Sequence, residues 1–426
     1  MKPMKILFIT QYFQPETEIG GIRIAEIAHH LRTRGHEPTI LTGLPNYPTG
    51  KLHQDYDRRA LRGTFTEVIN DLQVIRVLLY PSHSKRTAPR LTNYFSFAIA
   101  ACIRTLVMRG FDIVVATSPP LTTGIPGRIG SMLNRTPFIL DLRDIWPEAA
   151  VQLGYLKNRL VCAAAYNLEE SVYRGASRIV CVSSGIRDGI VQRGIPTEKC
   201  TVLPNGIDTD LFSPNARDST IEQLRANDTI IGIYVGSLSA YHGLDHAIDL
   251  LECLRPFPHV KVVFAGDGTA ERDLRAAIGG RYLGNAVFLG NVPRRRMPGL
   301  IAASDFCLAF VKESSFSRWL LSSKIFMYMA CGRPIFAAAT GETRRVIESA
   351  GAGMVAAPDL DGIRRLADQI GSLTRETFDN PYGRSGRAFA TRCCSWKRIA
   401  GCYEDVLAEA LRRSANTSRV AAQRCN

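Results

Sequence analysis

The chain has no apolar run long enough to cross a bilayer. The nearest, Tyr94 to Met108, is interrupted by Arg104, whereas a spanning helix needs roughly 20 consecutive apolar residues. Met1 to Thr10 carries two lysines and an apolar run that stops at Gln11, too short for a secretory leader, so it reads as a first buried strand. The eleven cysteines show no CxxC spacing and include the adjacent pair Cys393 and Cys394. That pattern argues against a zinc site or a disulfide framework and for reduced thiols in the cytoplasm. A GxGxxG fingerprint is missing, which leaves a nicotinamide enzyme without support. The basic residues are dispersed rather than gathered in one run, and no zinc-finger or RNA-recognition signature accompanies them, so nucleic acid is not the expected partner.

What the sequence does contain is enough apolar residue, 46% of 426, to build two cores of ordinary size. The formal net charge of +14 calls for an anionic partner, either phospholipid headgroups or a phosphorylated substrate. Apolar strand-like runs at Lys5–Thr10, Pro38–Thr42, Val74–Leu79, Asp112–Ala116, Pro137–Asp141, Arg178–Val182 and Cys200–Leu203 alternate with longer helix-compatible stretches. After the polar stretch Ser213–Asp228 the rhythm restarts with Ile230–Val235, Val260–Ala265, Ala286–Leu289, Asp305–Phe310 and Pro334–Ala337. The expected fold is α/β, two Rossmann-like lobes with a cleft between them. The expected domains are an N-terminal lobe over 1–212, a C-terminal lobe over 213–390, a helix over 391–413 returning to the first lobe and a loose tail over 414–426, with the linker near residue 215.

Ligands of parallel α/β sheets lie beyond the carboxyl ends of the strands, so the loops there carry the candidate chemistry. The first such loop ends in Gly20-Gly21, ahead of a helix expected over Ile22–Arg34. Paired glycines at a helix start let a phosphate approach backbone N–H groups; the alternative is a simple tight turn. Arg143, Asp144 and Trp146 follow the strand Pro137–Asp141. Asp144 is a candidate general base or sugar-positioning group and Arg143 a candidate phosphate ligand; the alternative is an Arg143–Asp144 ion pair with Trp146 as core. Asp141 is an equal candidate to face the cleft. Gly236 and Gly266 each follow a strand and would let backbone approach a nucleotide.

Several segments, in this order, carry a specific resemblance: KILFITQYFQPETEIGGIRIAEIAHHLRTRGHEPTILTGLPNYPTG, TSPPL, LDLRDIWPEAAVQLG, VLPNGID, YVGSL, FAGDG, LGNVPRRRMPGLIAASD and SSKIFMYMACGRPI. The chain resembles the retaining glycosyltransferases of family 4 type with the GT-B fold, and within them the O-antigen and colanic-acid biosynthesis enzymes similar to fucosaminyltransferases. The resemblance implies a transferase that moves a sugar from a nucleotide-sugar donor to a saccharide or polyprenyl-diphosphate-linked acceptor, with no metal and no other cofactor.

It also implies roles for single residues. Gly20 and Gly21 would lie against the donor diphosphate, and Asn46, Tyr47 and Trp146 would face the acceptor; for Asn46 and Tyr47 an ordinary turn is the alternative. Family members often carry Arg or Lys after the glycine matched by Gly236. Here Ser237 and His242 stand in that stretch, so the cation is expected from Lys324, which with Ser323 opens a helix expected over Ser322–Cys331. The family's carboxylate pair, eight positions apart, is replaced by Trp319 and Met327, neither able to accept a ribose hydroxyl hydrogen bond of comparable strength; Glu313 is a nearby substitute. That departure keeps a catalytically silent partner in view, and a sugar-nucleotide epimerase is a further alternative. Asp208-Thr209-Asp210 mimics a metal-binding DxD but sits at the lobe boundary and reads as connecting structure. Lys85 to Arg109, apolar and punctuated by arginines, reads either as an interfacial segment that brings the enzyme to the inner face of the cell membrane or as a buried helix with basic ends.

Overall fold

The computed structural model describes the backbone of residues 2–424 apart from Arg62, Lys85, 153–155, 226–227, 240–242, Tyr282, 314–317, Leu320 and 375–380; side chains are also left aside at Ala149 and 417–424. His242 and Lys85 therefore lie outside the described residues. The chain divides into two compact units, residues 1–205 with 396–426, and residues 206–395.

Unit 1 contains strands β1 (Lys5–Ile9), β2 (Glu37–Gly43), β3 (Phe65–Ile69), β4 (Leu72–Val77), β5 (Ile113–Ser118), β6 (Phe138–Leu142), β7 (Arg178–Cys181) and β8 (Cys200–Val202). Its helices are α1 (Ile19–Thr33), α2 (Gln54–Ala60), α3 (Thr87–Thr105), α4 (Gly124–Asn134), α5 (Glu148–Gln152), α6 (Arg159–Gly175) and α7 (Ser184–Val191). The sheet order is β3-β4-β2-β1-β5-β6-β7-β8, parallel except for the β3–β4 pair. Every residue of β5 and β6 is buried, as strands covered by helices on both faces require, and this is why they read as unbroken apolar runs. β3 has no such run. It is an edge strand whose alternate residues face water, so its FTEVI pattern gives a weak signal.

Unit 2 contains β9 (Ile230–Val235), β10 (Val260–Ala265), β11 (Ala286–Gly290), β12 (Phe306–Phe310), β13 (Ile335–Ala338) and β14 (Gly353–Ala356), all parallel in the order β11-β10-β9-β12-β13-β14. β14 also escapes sequence reading, being four residues long and opening on glycine. One apolar cluster covers each face of this sheet, the first including Ile231, Ile233 and Val235, the second Ile230, Tyr234 and Phe264. The alternation within β9 sends successive side chains to opposite cores.

The boundary falls ten residues before the expected linker. Phe212 is fully buried in the core of unit 2, and Arg387 donates to the carbonyls of Thr209, Phe212 and Ala330. The polar look of residues 206–212 hides these backbone anchors. The C-terminal helix also differs from expectation. It begins at Trp396, after a π-turn over Ala390–Cys394, and its backbone stays helical to Arg424 through good helix formers such as Ala415, Ala421, Ala422 and Gln423. Trp396, Ile399, Tyr403, Val406, Leu407 and Ala410, spaced by three and four, are buried in the cluster that includes α1. Each large side chain in that seam contributes about 2 kcal/mol by burial. Glu404 adds contacts to Arg34 and His36, both 3.0 Å.

Candidate functional site

At the carboxyl end of the unit 1 sheet most of the charged and backbone polar groups pair with one another, while Gln11 Oε1 and Ser118 Oγ are buried without a hydrogen-bond partner. Gly20 and Gly21 lie within the first turn of α1, one turn earlier than the sequence suggests. Their N–H groups, expected to be free for phosphate, donate instead to one carboxylate oxygen of Glu18, the N-cap residue, at 2.7 and 3.0 Å. The other oxygen of Glu18 receives Arg143 at 3.0 Å. Arg143 also donates to Thr117 Oγ1 and Pro119 O. A Cβ on Gly20 would stand 2.1 Å from that guanidinium, and one on Gly21 2.8 Å from Tyr12 O. Fixed backbone leaves no room for a side chain at Gly21, whereas at Gly20 a side chain would displace the Arg143 guanidinium from its place beside Glu18.

Arg143 thus pairs with Glu18, and the Arg143–Asp144 side-chain pair open to the sequence is not formed. Asp144 is mostly withdrawn from water, which lifts its carboxyl to about 6, against the pull of the Ile145 N–H and the Arg143 charge. That places its titration in the range useful to a general base. Trp146 is partly buried in the same loop. Asp141 does not face a ligand site: it is fully buried, and its two oxygens share the single Arg23 Nε–H, each at 3.1 Å, while Arg23 also donates to Leu203 O and Pro204 O.

Asn46 is buried, with Nδ2 donating to Leu44 O at 3.1 Å, so its side chain shapes the loop and is not presented to a ligand. The N–H groups of Asn46 and Tyr47 both donate to Glu16 Oε1 at 2.8 Å. Burial raises the Glu16 carboxyl, and those N–H groups with that of Phe13 hold it down. The Tyr47 ring stays partly open, edge-on to Tyr12 at 5.9 Å and to His83 at 5.0 Å. Tyr12, His83, Glu16 and Glu18, which the sequence did not single out, surround Tyr47 and the Gly20-Gly21 turn. The signal available was the ExE pair immediately ahead of Gly20-Gly21.

Unit 2 presents a different arrangement. The glycines at the ends of β9 and β10 serve first to bring two loops together. A Cβ on Gly266 would lie 2.0 Å from Gly236 O, and Gly236 N donates to Ala265 O at 2.9 Å while Gly266 N donates to Gly290 O at 2.8 Å. Gly236 and Gly266 both have positive φ, 109° and 152°, a conformation that favours glycine. Ser237 is exposed and its carbonyl accepts the Tyr234 hydroxyl.

Beside Gly236 lies Lys324, the first residue of α12 (Lys324–Ala330), with Ser323 as the preceding cap position. α12 is the fifth helix of unit 2, after α8 (Ser219–Leu224), α9 (Asp245–Cys253), α10 (Glu271–Gly280) and α11 (Met297–Ala303). Lys324 Nζ would stand 3.7 Å from a Cβ on Gly236 and sits 3.7 Å from the centroid of the Tyr234 ring. The residue is 6% exposed, and Nζ has no hydrogen-bond partner among the described residues. Burial alone pulls the ammonium down to about 7. A buried basic group facing an aromatic ring and a glycine turn, with no hydrogen-bond or ion-pair partner among the described residues, is costly to keep charged.

Met327 is half-buried against the unit 2 core, and Trp319 is buried under the Arg318 guanidinium at 4.5 Å. Glu313 is exposed in the loop after β12. Asp208 Oδ1 accepts the N–H groups of Asp210 and Leu211, a local turn. No cluster of three or more metal-ligating side chains is present among the described residues, nor is any helix among them long and apolar enough to cross a membrane.

Comparison with known proteins matches residues 20–206 to the glycosyl transferase 4-like domain and residues 229–376 to the glycosyl transferases group 1 family. The chain is 24% identical over 343 residues to the Escherichia coli (strain K12) glycosyl transferase WcaI, named for colanic acid biosynthesis, covering 77% of this chain and 82% of that protein. Its fold matches the crystal structure of Anabaena Alr3699/HepE in complex with UDP, with TM-score 0.68 and 21% identity over 95% of this chain and all of that one. It also matches sucrose-phosphate synthase from Thermosynechococcus elongatus, with TM-score 0.73 and 15% identity over 96% of this chain and all of that one. With both halves matched by glycosyl transferase domains and both sheets parallel α/β, the chain belongs to the glycosyltransferases of the GT-B type.

Proposed function

We infer that the protein transfers a sugar from a nucleoside-diphosphate donor, held by unit 2, to a lipid-linked saccharide in bacterial surface polysaccharide assembly, with retention at the anomeric carbon. The observation that carries the donor assignment is Lys324: buried, without a partner among the described residues, and set against the glycine turn at Gly236. A donor diphosphate beside Nζ would restore the missing counter-charge and draw the ammonium back to its charged form. Ser237, Ser323 and the Gly236 and Gly266 turns lie on the same side of the sheet ends and supply the surrounding surface. The relative crystallised with UDP favours a uridine diphosphate. On the acceptor side we assign Asp144 as the base or positioning group for the incoming hydroxyl, with Tyr47 and Trp146 as apolar surfaces for the sugar ring. No metal is proposed, since Lys324 supplies the cationic charge. The enzyme would act at the cytoplasmic face of the membrane, in peripheral contact with it.

A second reading rests on Met327, which stands where the family carries a carboxylate: donor binding without turnover, as the silent partner of another transferase. Calorimetry of UDP, GDP and dTDP without added metal, on the wild type and on Lys324→Ala, tests the donor assignment. Selective binding of one nucleotide that weakens in the variant is expected; binding of none, or equal binding by both proteins, removes it. Turnover of the matching sugar nucleotide with a polyprenyl-diphosphate-linked acceptor then separates enzyme from silent partner.

A further inference from the structure

α3 packs on unit 1 through Asn93, Phe97, Ala98, Ala101 and Thr105. Its opposite face carries Phe95, Ile99 and Ile103, continued by Leu106 and Val107, with exposures of 44, 60, 63, 52 and 69%. The spacing of four, four and three keeps Phe95, Ile99, Ile103 and Leu106 on one stripe. No charged side chain interrupts that stripe, and its N-terminal extension, Ala88 and Thr92, is exposed and uncharged as well. The neighbouring helix α4 adds Met132, 72% exposed. An exposed apolar band along a helix of about 28 Å marks an interaction surface.

Charge identifies the occupant. Between Leu72 and Leu140 the chain has eight basic residues and one acidic one, Asp112, and Asp112 is engaged by the Lys5 N–H at 2.7 Å. Arg86, Arg109 and Arg135 are exposed at the ends of α3 and α4. A second copy offering the same face would set these arginines against one another, whereas an anionic lipid surface meets both the apolar stripe and its basic rim. Asn93, on the buried side of α3, accepts a hydrogen bond from Gln11 Nε2 and donates to Tyr80 O, which ties the helix to the loop bearing Tyr12.

We propose that the outer face of α3 is a docking surface for anionic phospholipid bilayers, with Phe95, Ile99, Ile103 and Leu106 entering the headgroup region and Arg86, Arg109 and Arg135 lying on phosphates. This deepens the reading of a lipid-linked acceptor and rests on it for its purpose: the docked helix holds the Tyr12–Tyr47 loops at the height where a membrane-anchored saccharide emerges.

The test is sedimentation of the full chain with neutral phosphatidylcholine vesicles and with vesicles in which about a third of the lipid is phosphatidylglycerol. Binding to the anionic vesicles alone, weakened by added salt, is expected. Ile99→Asp/Ile103→Asp should lose at least about tenfold, and Arg86→Gln or Arg135→Gln about fivefold each. UDP calorimetry on the same variants monitors folding and the donor site, and should be unchanged. Absence of vesicle binding, equal binding to neutral vesicles, or full binding by Ile99→Asp/Ile103→Asp overturns the proposal. A wild type that is dimeric in solution and a monomeric Ile99→Asp/Ile103→Asp variant also overturn it, in favour of a second copy. Vesicle binding by a protein that binds no nucleotide would instead remove the donor assignment and leave this surface standing.

Discussion

The strand ends of the two units solve opposite electrostatic problems. In unit 1, Arg23 is matched by Asp141, Arg143 by Glu18, and the N–H groups of Gly20, Gly21, Asn46 and Tyr47 by two glutamates. In unit 2, the one lysine buried at the strand ends among the described residues faces a ring and a glycine turn with nothing to neutralise it. A region whose charges are mostly answered holds its own shape. A region with an unanswered charge is held partly by what binds it, because a ligand present in the folded state and absent from the unfolded one adds stability. Loss of a paired charge should therefore cost folding in unit 1, and loss of Lys324 should cost binding in unit 2.

The largest effect expected is at Arg23. Arg23→Met leaves Asp141 charged and fully buried without its partner and frees the carbonyls of Leu203 and Pro204, at a cost of about 3–5 kcal/mol. Urea unfolding followed by a probe in unit 1 should report that loss. A value under about 1 kcal/mol would mean that the saturated network is not what holds these strand ends, and the comparison fails there.

Lys324→Met should behave in the reverse sense. The folded state loses an unpartnered buried ammonium, so the ligand-free protein should be at least as stable as the wild type, while nucleotide affinity falls by about 2–3 kcal/mol. The sign of the pH dependence follows from the depressed value, about 7 against 10.5 in the unfolded chain. Between those values the unfolded state holds the extra proton, so the wild type gains stability as pH rises through that window, and the methionine variant does not. An anion bound at Nζ reverses the depression, so nucleotide binding at pH 8–9 takes up a proton and weakens by up to about tenfold per pH unit. Calorimetry in buffers of different ionisation enthalpy reads that uptake directly.

Glu18→Ala is expected to be intermediate. It removes the cap on α1 and leaves Arg143 without its carboxylate, for about 1–2 kcal/mol, and it opens the Gly20 and Gly21 N–H groups. If those groups serve phosphate in a complex, the variant should bind nucleotide more tightly while melting earlier. If Glu18 stays in place during binding, affinity should be unchanged.

The same contrast explains what could be read from the sequence. The central strands were legible because full burial writes an unbroken apolar run, as in Val114–Ala116 or Ile230–Val235, and Lys324 was legible through its family motif. The partners in unit 1 were not. Arg23 and Asp141 are 118 positions apart, and Arg143 and Glu18 125; nothing in local pattern connects them. Sequence proximity offered an Arg143–Asp144 pair only as the alternative to functional roles and left Asp141 an equal candidate to face the cleft; the parallel sheet pairs Arg143 with Glu18 and buries Asp141 against Arg23. The domain boundary was misplaced for a similar reason, since Arg387 reaches back 175 positions to Phe212 O. The edge strand β3 and the four-residue β14 carry too little burial to leave a pattern.

The smallest effect is expected at Asp144. It is the one carboxylate of the Arg143–Trp146 loop, and Arg143, its neighbour in sequence, is committed elsewhere. Its raised value, about 6 against 3.8, means that the folded protein holds the extra proton between those pH values, so stability falls as pH rises through them. Asp144→Asn removes this penalty and should stabilise the protein at pH 7 by about 1 kcal/mol, allowing for screening by solvent, with no gain at pH 3.5–4. If Asp144 serves the acceptor hydroxyl, the same variant should lose the acid limb of the transfer rate near pH 6 together with most turnover. A variant that gains stability and keeps turnover would leave Asp144 as a strained member of an otherwise self-satisfied loop, and the acceptor chemistry would have to come from another group.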